Sequence, residues 1–301
     1  MNAKLLFVHA FSPLHAGTGQ GVGVIDLPIA REKATGIPFL PGTTLKGVFR
    51  DAATPDSDTA VAKELRKHVF GPDPKTDDPS EHAGSVTFTD ARLLLMPIRS
   101  LRGVFAWATS PLLLRRLARD AEGNADLPQN IPVPSKDDVC FTSEQNSPLK
   151  VDSVNQIILE DLPLHPSADN DAKLWAGWIG GKLFPSQSKP DVEARKDFAE
   201  RFCVISDDAM SFLLETATEI TARIRIEDEK KTVAEGQLWY EEALPTETVL
   251  VSRVVWASVK ADEKTVFNEV RKIAAKTLQF GGKATVGRGL CRAIPAWEEM
   301  P

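Results

Sequence analysis

The apolar positions of this chain change period repeatedly, and each change marks an element. Lys4–Phe11, KLLFVHAF, is an almost unbroken apolar run closed by Pro13, which predicts a buried strand. A glycine-rich stretch, HAGTGQGVGVID, follows at 15–26. GIPFLPGTTLKGVFR then brings Pro38 and Pro41, which keep the backbone extended or turned, and Thr43 or Thr44 is placed to cap a short helix through Arg50. SDTAVAKELRKHVFG predicts a helix with Asp58 as N-cap, Val61, Leu65 and Val69 on one stripe, and Gly71 as its stop. The polar, Pro-rich stretch 72–84 reads as a loop. SVTFTDARLLLMPI predicts a strand bent or interrupted near Asp90, and SPLLLRRLARD a helix capped by Ser110 with Pro111 in its first turn.

Residues 121–200 are the least regular by pattern: Pro, Asp, Asn and Ser recur, and only NQIILEDL stands out as a strand. They read as an insertion of loops with room for a hairpin. A helix at 206–216 is expected to start on Ser206, with Asp207 and Asp208 where the helix dipole favours acids. EITARIRIE alternates cleanly, with Ile220, Ala222, Ile224 and Ile226 on one face of a strand. GQLWYEEALP and TVLVSRVVWASV predict further strands. The longest helix is expected over 262–280, with Val266, Val270, Ile273 and Thr277 on its stripe, ending at GGKATVGRG before a last strand, LCRAI. Strands and helices are mixed without a βαβ array or an internal repeat, which predicts an α+β protein.

Composition narrows this only slightly. The chain has 301 residues, 42% of them hydrophobic, and a net charge of -6, the profile of an ordinary globular protein with a sizeable core. A negative sum argues against nucleic-acid binding, but charge clustered on one face counts for more. Cys140, Cys203 and Cys291 are odd in number and far apart, so no C-x-x-C zinc pair or disulfide framework is indicated. No apolar run approaches the roughly 20 residues of a membrane span, and the N-terminus lacks a signal-peptide cleavage pattern. A cytoplasmic protein is expected.

Candidate chemistry lies in the glycine-rich segments. The first fails G-x-G-x-x-G in every register, because the sixth residue from Gly17, Gly19 and Gly21 is Val22, Val24 and Asp26. That argues against a dinucleotide site. Its glycines suit either close approach to an anion or a mobile hairpin tip. The second, 281–289, has G-x-x-x-x-G at 282–287, but Arg288 and Gly289 stand where a P-loop needs Lys and Ser or Thr. With Lys283, Arg288 and Arg292 and no acid between 281 and 292, it suits a phosphodiester backbone; the alternative is a simple turn. Lys46 and Arg50, near a helix N-terminus, form a second basic set. His15, Asp26 and the YEE segment, with Glu241 and Glu242, supply groups that bind a divalent ion or move protons.

SPLHAGTGQGVGVIDLPIARE with GIPFLPGTTLKGVFR, LWYEEALP and GGKATVGRG together resemble one family. This is the RAMP superfamily of CRISPR proteins, and within it the backbone subunit of the Cmr (type III-B) effector complex. The match runs from Pro13 to Gly289. The resemblance implies one unit over 1–301 with a ferredoxin-like, RNA-recognition-motif-type core and large insertions, among them a thumb-like β-hairpin. It implies an endoribonuclease that polymerises along the CRISPR RNA and cuts the target RNA at regular intervals, dependent on a divalent ion (Mg or Mn) and on no organic cofactor. Expected partners are CRISPR RNA, target RNA, further copies of the chain, and the small and end-capping Cmr subunits. The resemblance makes Asp26 the essential cleavage residue and a candidate metal ligand, with His15 and one of Glu241 and Glu242 around the same site. Arg31, Lys46, Arg50, Gly281, Gly282, Lys283, Arg288 and Arg292 are the candidate RNA contacts. The first glycine loop then reads as a mobile arm carrying Asp26 to a displaced phosphate. A non-catalytic scaffold and the type III-A counterpart are the alternatives.

Overall fold

The computed structural model describes residues 2–19, 25–53, 60–72, 78, 82–123, 126–226 and 233–300. In chain order the first half holds β1 (Ala3–Ala10), β2 (Phe39–Leu40), α1 (Gly42–Ala52), α2 (Ala60–Phe70), β3 (Val86–Phe88), β4 (Ala91–Arg99), β5 (Phe105–Thr109) and α3 (Pro111–Asp120). Next come β6 (Val139–Thr142), β7 (Lys150–Val151), β8 (Gln156–Leu159), β9 (Leu162–Ala168), α4 (Asn170–Leu183), α5 (Lys189–Arg201) and β10 (Phe202–Val204). The chain ends with α6 (Asp207–Thr216), β11 (Glu219–Ile226), β12 (Val233–Ala243), β13 (Val249–Trp256), α7 (Glu263–Ala274), β14 (Thr277–Gln279) and β15 (Leu290–Pro295). This is a mixed α+β arrangement.

The apolar run of β1 is unbroken because both of its faces are covered. Leu6, Val8 and Ala10 join Leu45 and Phe49 of α1 and Val266, Phe267, Val270 and Ile273 of α7 in one core. Leu5 and Phe7 turn the other way, onto Trp175, Trp178 and Ile179 of α4. β1 lies antiparallel between β13 and β15, and β13 lies antiparallel to β4. The spatial order is therefore β15-β1-β13-β4, with α1 and α7 on one face. The same sheet continues through β5, β10, β6, β9, β8 and β7.

The expected break near Asp90 is the gap between β3 and β4. It has a structural use: the Gly42 N–H, first in α1, donates to Asp90 Oδ1 at 2.8 Å. Neither Thr43 nor Thr44 caps that helix; Pro41 occupies the N-cap, and α1 runs on to Ala52. In α2, Val69 is buried but Val61 is fully at the surface, so the stripe holds only toward the C-terminal end. Gly71 ends that helix at φ +98°, and the proposed Asp58 cap lies outside the described residues.

Two expectations are corrected. The stretch 121–200 is not mainly irregular: it contains α4 and α5 as well as the β8–β9 hairpin. α4 buries one face through Ala172, Trp175, Ala176, Ile179 and Leu183, but its exposed face carries Leu174 and Gly177 as well as Lys173, so the polar contrast of an amphipathic stripe is missing from the sequence. α5 is polar, with Phe198 as its one buried residue, and offers too little apolar pattern to announce itself. The last long helix stops at Ala274. Thr277 is exposed on β14, where Leu278 enters the core and the strand pairs with β15. Edge pairing there outcompetes one further helical turn.

β11 and β12 stand apart as a two-stranded antiparallel hairpin. One face carries Ile220, Ile224, Leu238 and Tyr240, all largely exposed. No helix among the described residues is long and apolar enough to cross a membrane.

Phe49 is fully buried between Phe88 and Phe280. Phe49→Ala is expected to cost about 3–5 kcal/mol, seen as a lower urea midpoint with an unchanged slope.

Candidate active site

Three segments far apart in sequence meet along β12. Leu14 and Leu244 exchange backbone hydrogen bonds of 2.8 and 2.9 Å, which pins the chain just after β1 to the end of the hairpin. Gly17 bridges Ile29, and Ala30 N–H donates to Ala16 at 2.7 Å, so residues 14–18 and 26–31 run as two arms of one loop. The second arm lies beside β12. Leu27 N–H donates to the Tyr240 carbonyl at 3.1 Å, and Glu242 N–H donates to the Leu27 carbonyl at 3.0 Å.

Asp26 is exposed and sits at the start of this pairing, where its Oδ2 accepts the Tyr240 N–H at 2.8 Å. Oδ1 has no hydrogen bond to a described residue. The expectation of a mobile arm ending in Asp26 is therefore corrected at that end: residues 20–24 lie outside the described residues, but Asp26 is fastened to the hairpin root.

His15 is buried, and its Nδ1 lies 2.7 Å from the Glu242 carbonyl oxygen. A carbonyl only accepts, so Nδ1 carries the proton and Nε2 of the neutral ring holds the lone pair. The glycines around the ring are required by space. A Cβ on Gly17 would stand 2.6 Å from Nε2, and one on Gly281 would stand 2.3 Å from the His15 carbonyl oxygen. Gly282 N–H donates to that same carbonyl at 2.9 Å. Gly281 and Gly282 are thus the wall behind His15.

The two glutamates diverge, as neighbours on a strand must. Glu242 points to the loop side: Arg31 Nη2 donates to Oε1 at 2.6 Å and Ile29 N–H to Oε2 at 3.0 Å. Glu241 points to the other face, where Lys283 Nζ and Trp239 Nε1 each lie 2.8 Å from Oε1 and Arg223 Nε lies 3.4 Å from Oε2. Both are 3% exposed. Burial alone pushes the Glu241 carboxyl up. Hydrogen bonds from Lys283 and Trp239 and the charges of Lys283 and Arg223 outweigh it and hold the group down to about 2.

The candidate RNA contacts fall into four places. Lys283 and Arg288 close the C-terminal loop onto the hairpin: Lys283 pairs with Glu241, and buried Arg288 donates to Glu219 and to Thr221 at 3.1 Å each. Arg31 sits on the loop side of β12 and also donates to the Gly36 and Leu214 carbonyls. Lys46 and Arg50 lie on α1, where burial and then Arg50 push the Lys46 ammonium down, and Arg50 donates to Pro72. Arg292 lies on β15 in a cleft of about 680 Å³, together with Phe11, Arg271, Lys272 and Lys276. The sequence reading missed Trp239, Arg223, Glu219 and Thr221. Hairpin register was the available signal, since Arg223 pairs with Trp239 and Thr221 with Glu241.

Among the described residues, no group of three or more His, Cys, Asp or Glu side chains could hold a metal ion. Both oxygens of Glu241 and of Glu242 are taken by donors, which leaves Asp26 Oδ1. These residues do not form a cage of protein ligands, and they leave one carboxylate oxygen open to an ion whose other ligands come from elsewhere.

The loop after the first strand, the hairpin root and the glycine-rich C-terminal turn thus meet at one junction, and the chain belongs to the RAMP superfamily, whose family model matches residues 7–292. Among its relatives is the CRISPR system Cmr endoribonuclease Cmr4 of Pyrococcus furiosus, 36% identical over 294 residues, which span 97% of this chain and 95% of that one. The CRISPR system CMR subunit Cmr4 of Saccharolobus solfataricus is 25% identical over 300 residues, 95% and 94% of the two chains. The crystal structure of oligomeric Cmr4 from Pyrococcus furiosus matches with a TM-score of 0.72 at 27% identity, over 99% of this chain and 100% of that one.

Because Glu241 titrates below the ordinary glutamate value of 4.5, the stability its contacts supply is full above that value and is lost as the pH falls through about 2. The stability gap between the chain and Glu241→Gln, read from urea midpoints, is expected to hold steady above about pH 6 and to close progressively below about pH 5. A gap that does not change with pH would show that these ion pairs contribute nothing.

Proposed function

We propose that this chain is the repeated backbone subunit of a type III-B CRISPR effector complex, which lines up along CRISPR RNA and cuts bound target RNA at regular intervals. The single observation that carries the cleavage reading is the site itself. Asp26 is exposed with one carboxylate oxygen unbonded among the described residues, on a ladder that also fixes the tautomer of His15. The order β15-β1-β13-β4 with α1 and α7 on one face supports a ferredoxin-like core. The β11–β12 hairpin supports the role of thumb, because an exposed apolar face at Ile220, Ile224, Leu238 and Tyr240 suits contact with the faces of bases. Tyr240, the one tyrosine of the chain, is bonded through its backbone to Asp26, so a base displaced against the hairpin would leave its phosphate near the carboxylate.

In this reading the protein holds RNA by shape and phosphate, and pairing with the guide reads the sequence. Asp26 orients the 2′-hydroxyl next to the scissile phosphate, and His15 Nε2 is the proton acceptor aimed at the loop. A divalent ion, Mg or Mn, held by RNA phosphates with Asp26 Oδ1 as protein ligand, would neutralise charge at the phosphate. Partners are CRISPR RNA, target RNA, further copies of this chain, and the small and end-capping subunits of the complex.

The test is target cutting by the reconstituted complex. Asp26→Ala is expected to lower the cleavage rate by at least about 10²-fold with target binding unchanged. Cutting at the original rate would make the chain a scaffold without catalysis.

A further inference from the structure

Arg31 has the geometry of a fixed strut. Its guanidinium reaches three acceptors on three different segments: the Gly36 carbonyl at 2.9 Å, the Leu214 carbonyl of α6 at 3.0 Å and Glu242 Oε1 at 2.6 Å. A planar fork with several donors suits this bracing, which an ammonium cannot reproduce. The Glu242 carboxylate is held on its second oxygen by Ile29 N–H at 3.0 Å. With its side chain gripped on one side, the Glu242 peptide is placed so that its carbonyl meets His15 Nδ1 at 2.7 Å. Gly281 lies against the His15 carbonyl and Gly282 against the ring, where an added Cβ would stand 3.3 Å from Cδ2.

We propose that Arg31 and the Glu242 side chain are positioning residues for His15. Arg31 clamps the Glu242 carboxylate, this fixes the Glu242 carbonyl, and the carbonyl holds His15 in the Nδ1–H tautomer with Nε2 presented to the loop at Gly17. Arg31 then acts through other groups and touches no RNA. The consequence for the reaction is that the lone pair of His15 is aimed before substrate arrives. A free imidazole would have to be caught in the right tautomer and rotamer each time. The proposal rests on the cleavage function above for its catalytic consequence, and on the hydrogen-bond chain alone for its structural part.

The two parts are tested separately. In the full-length chain labelled with ¹⁵N-histidine, long-range ¹H–¹⁵N correlation reads which ring nitrogen of His15 bears the proton. The chain itself is expected to give the Nδ1–H pattern at a pH where the ring is neutral. Arg31→Ala and Glu242→Ala are expected to shift it toward Nε2–H or toward an averaged signal, and Arg31→Lys, which donates from a single nitrogen in place of a planar fork, is expected to restore it only in part. In the reconstituted complex, Arg31→Ala is expected to lower kcat on the order of 10²-fold with KM for target RNA unchanged, the scale of a misplaced catalytic group. An Nε2–H signal in the unmutated chain overturns the proposal without any variant being needed. An unaltered His15 signal in folded Arg31→Ala, or a raised KM with kcat intact, also overturns it and makes Arg31 an RNA contact. If the unmutated complex does not cut target RNA while the His15 signal still follows Arg31, the function fails and the positioning chain stands.

Discussion

Everything at the site depends on the alternation of one strand. β12 must send Glu241 and Glu242 to opposite faces, and each face has a separate task. Toward the loop, Glu242 takes Arg31 and Ile29 N–H through its side chain and His15 through its carbonyl. Toward the C-terminal turn, Glu241 takes Lys283, Trp239 and Arg223. A slip of one residue in the register of this strand would exchange the two carboxylates and put each among the wrong partners. The backbone bonds of Leu27 and Leu244 to their neighbours across the junction hold that register.

The same junction explains how an acidic chain can keep a basic turn. Lys283 and Arg288 do not float free on a glycine-rich loop; Glu241 and Glu219 of the hairpin draw them in and tie the end of the chain to the hairpin root. Arg288 is buried in doing so, and its Nε has no partner among the described residues. The glycines contribute by what they leave out. At Gly281 the backbone has φ +75° and lies too close to the His15 carbonyl for any side chain. The loop after β1, the hairpin and the terminal turn are therefore tied into one unit, while the apolar face of the hairpin stays available at the surface.

Much of the fold was legible. β1, β13 and β15 announce themselves as apolar runs, the alternation of β11 is plain, and Ser206 caps α6 as its chemistry predicts, its hydroxyl oxygen accepting from Ala209 N–H. α4 was illegible because its exposed face carries Leu174 and Gly177 and so gives little polar contrast to mark a period, and the end of α7 because Thr277 to Gln279 suit a sheet edge as well as a helix. The site was legible as a set of residue types. Asp26, His15, Glu241 and Glu242 stand out as candidates, but nothing in their spacing separates the two glutamates or shows that Asp26 is fastened by Tyr240 N–H.

Periodicity and residue chemistry were enough for the α+β class, the glycine positions that permit close approach, and the side chains that carry chemistry. These are local properties, set by periodicity and by the chemistry of single residues. Which cation meets which carboxylate, the bracing of Glu242 by Arg31, and the nitrogen on which His15 holds its proton came from the folded chain alone. Those depend on contacts between separate segments, 213 residues apart for Ile29 with Glu242, whose geometry follows from how the strands pair and leaves no mark on local spacing.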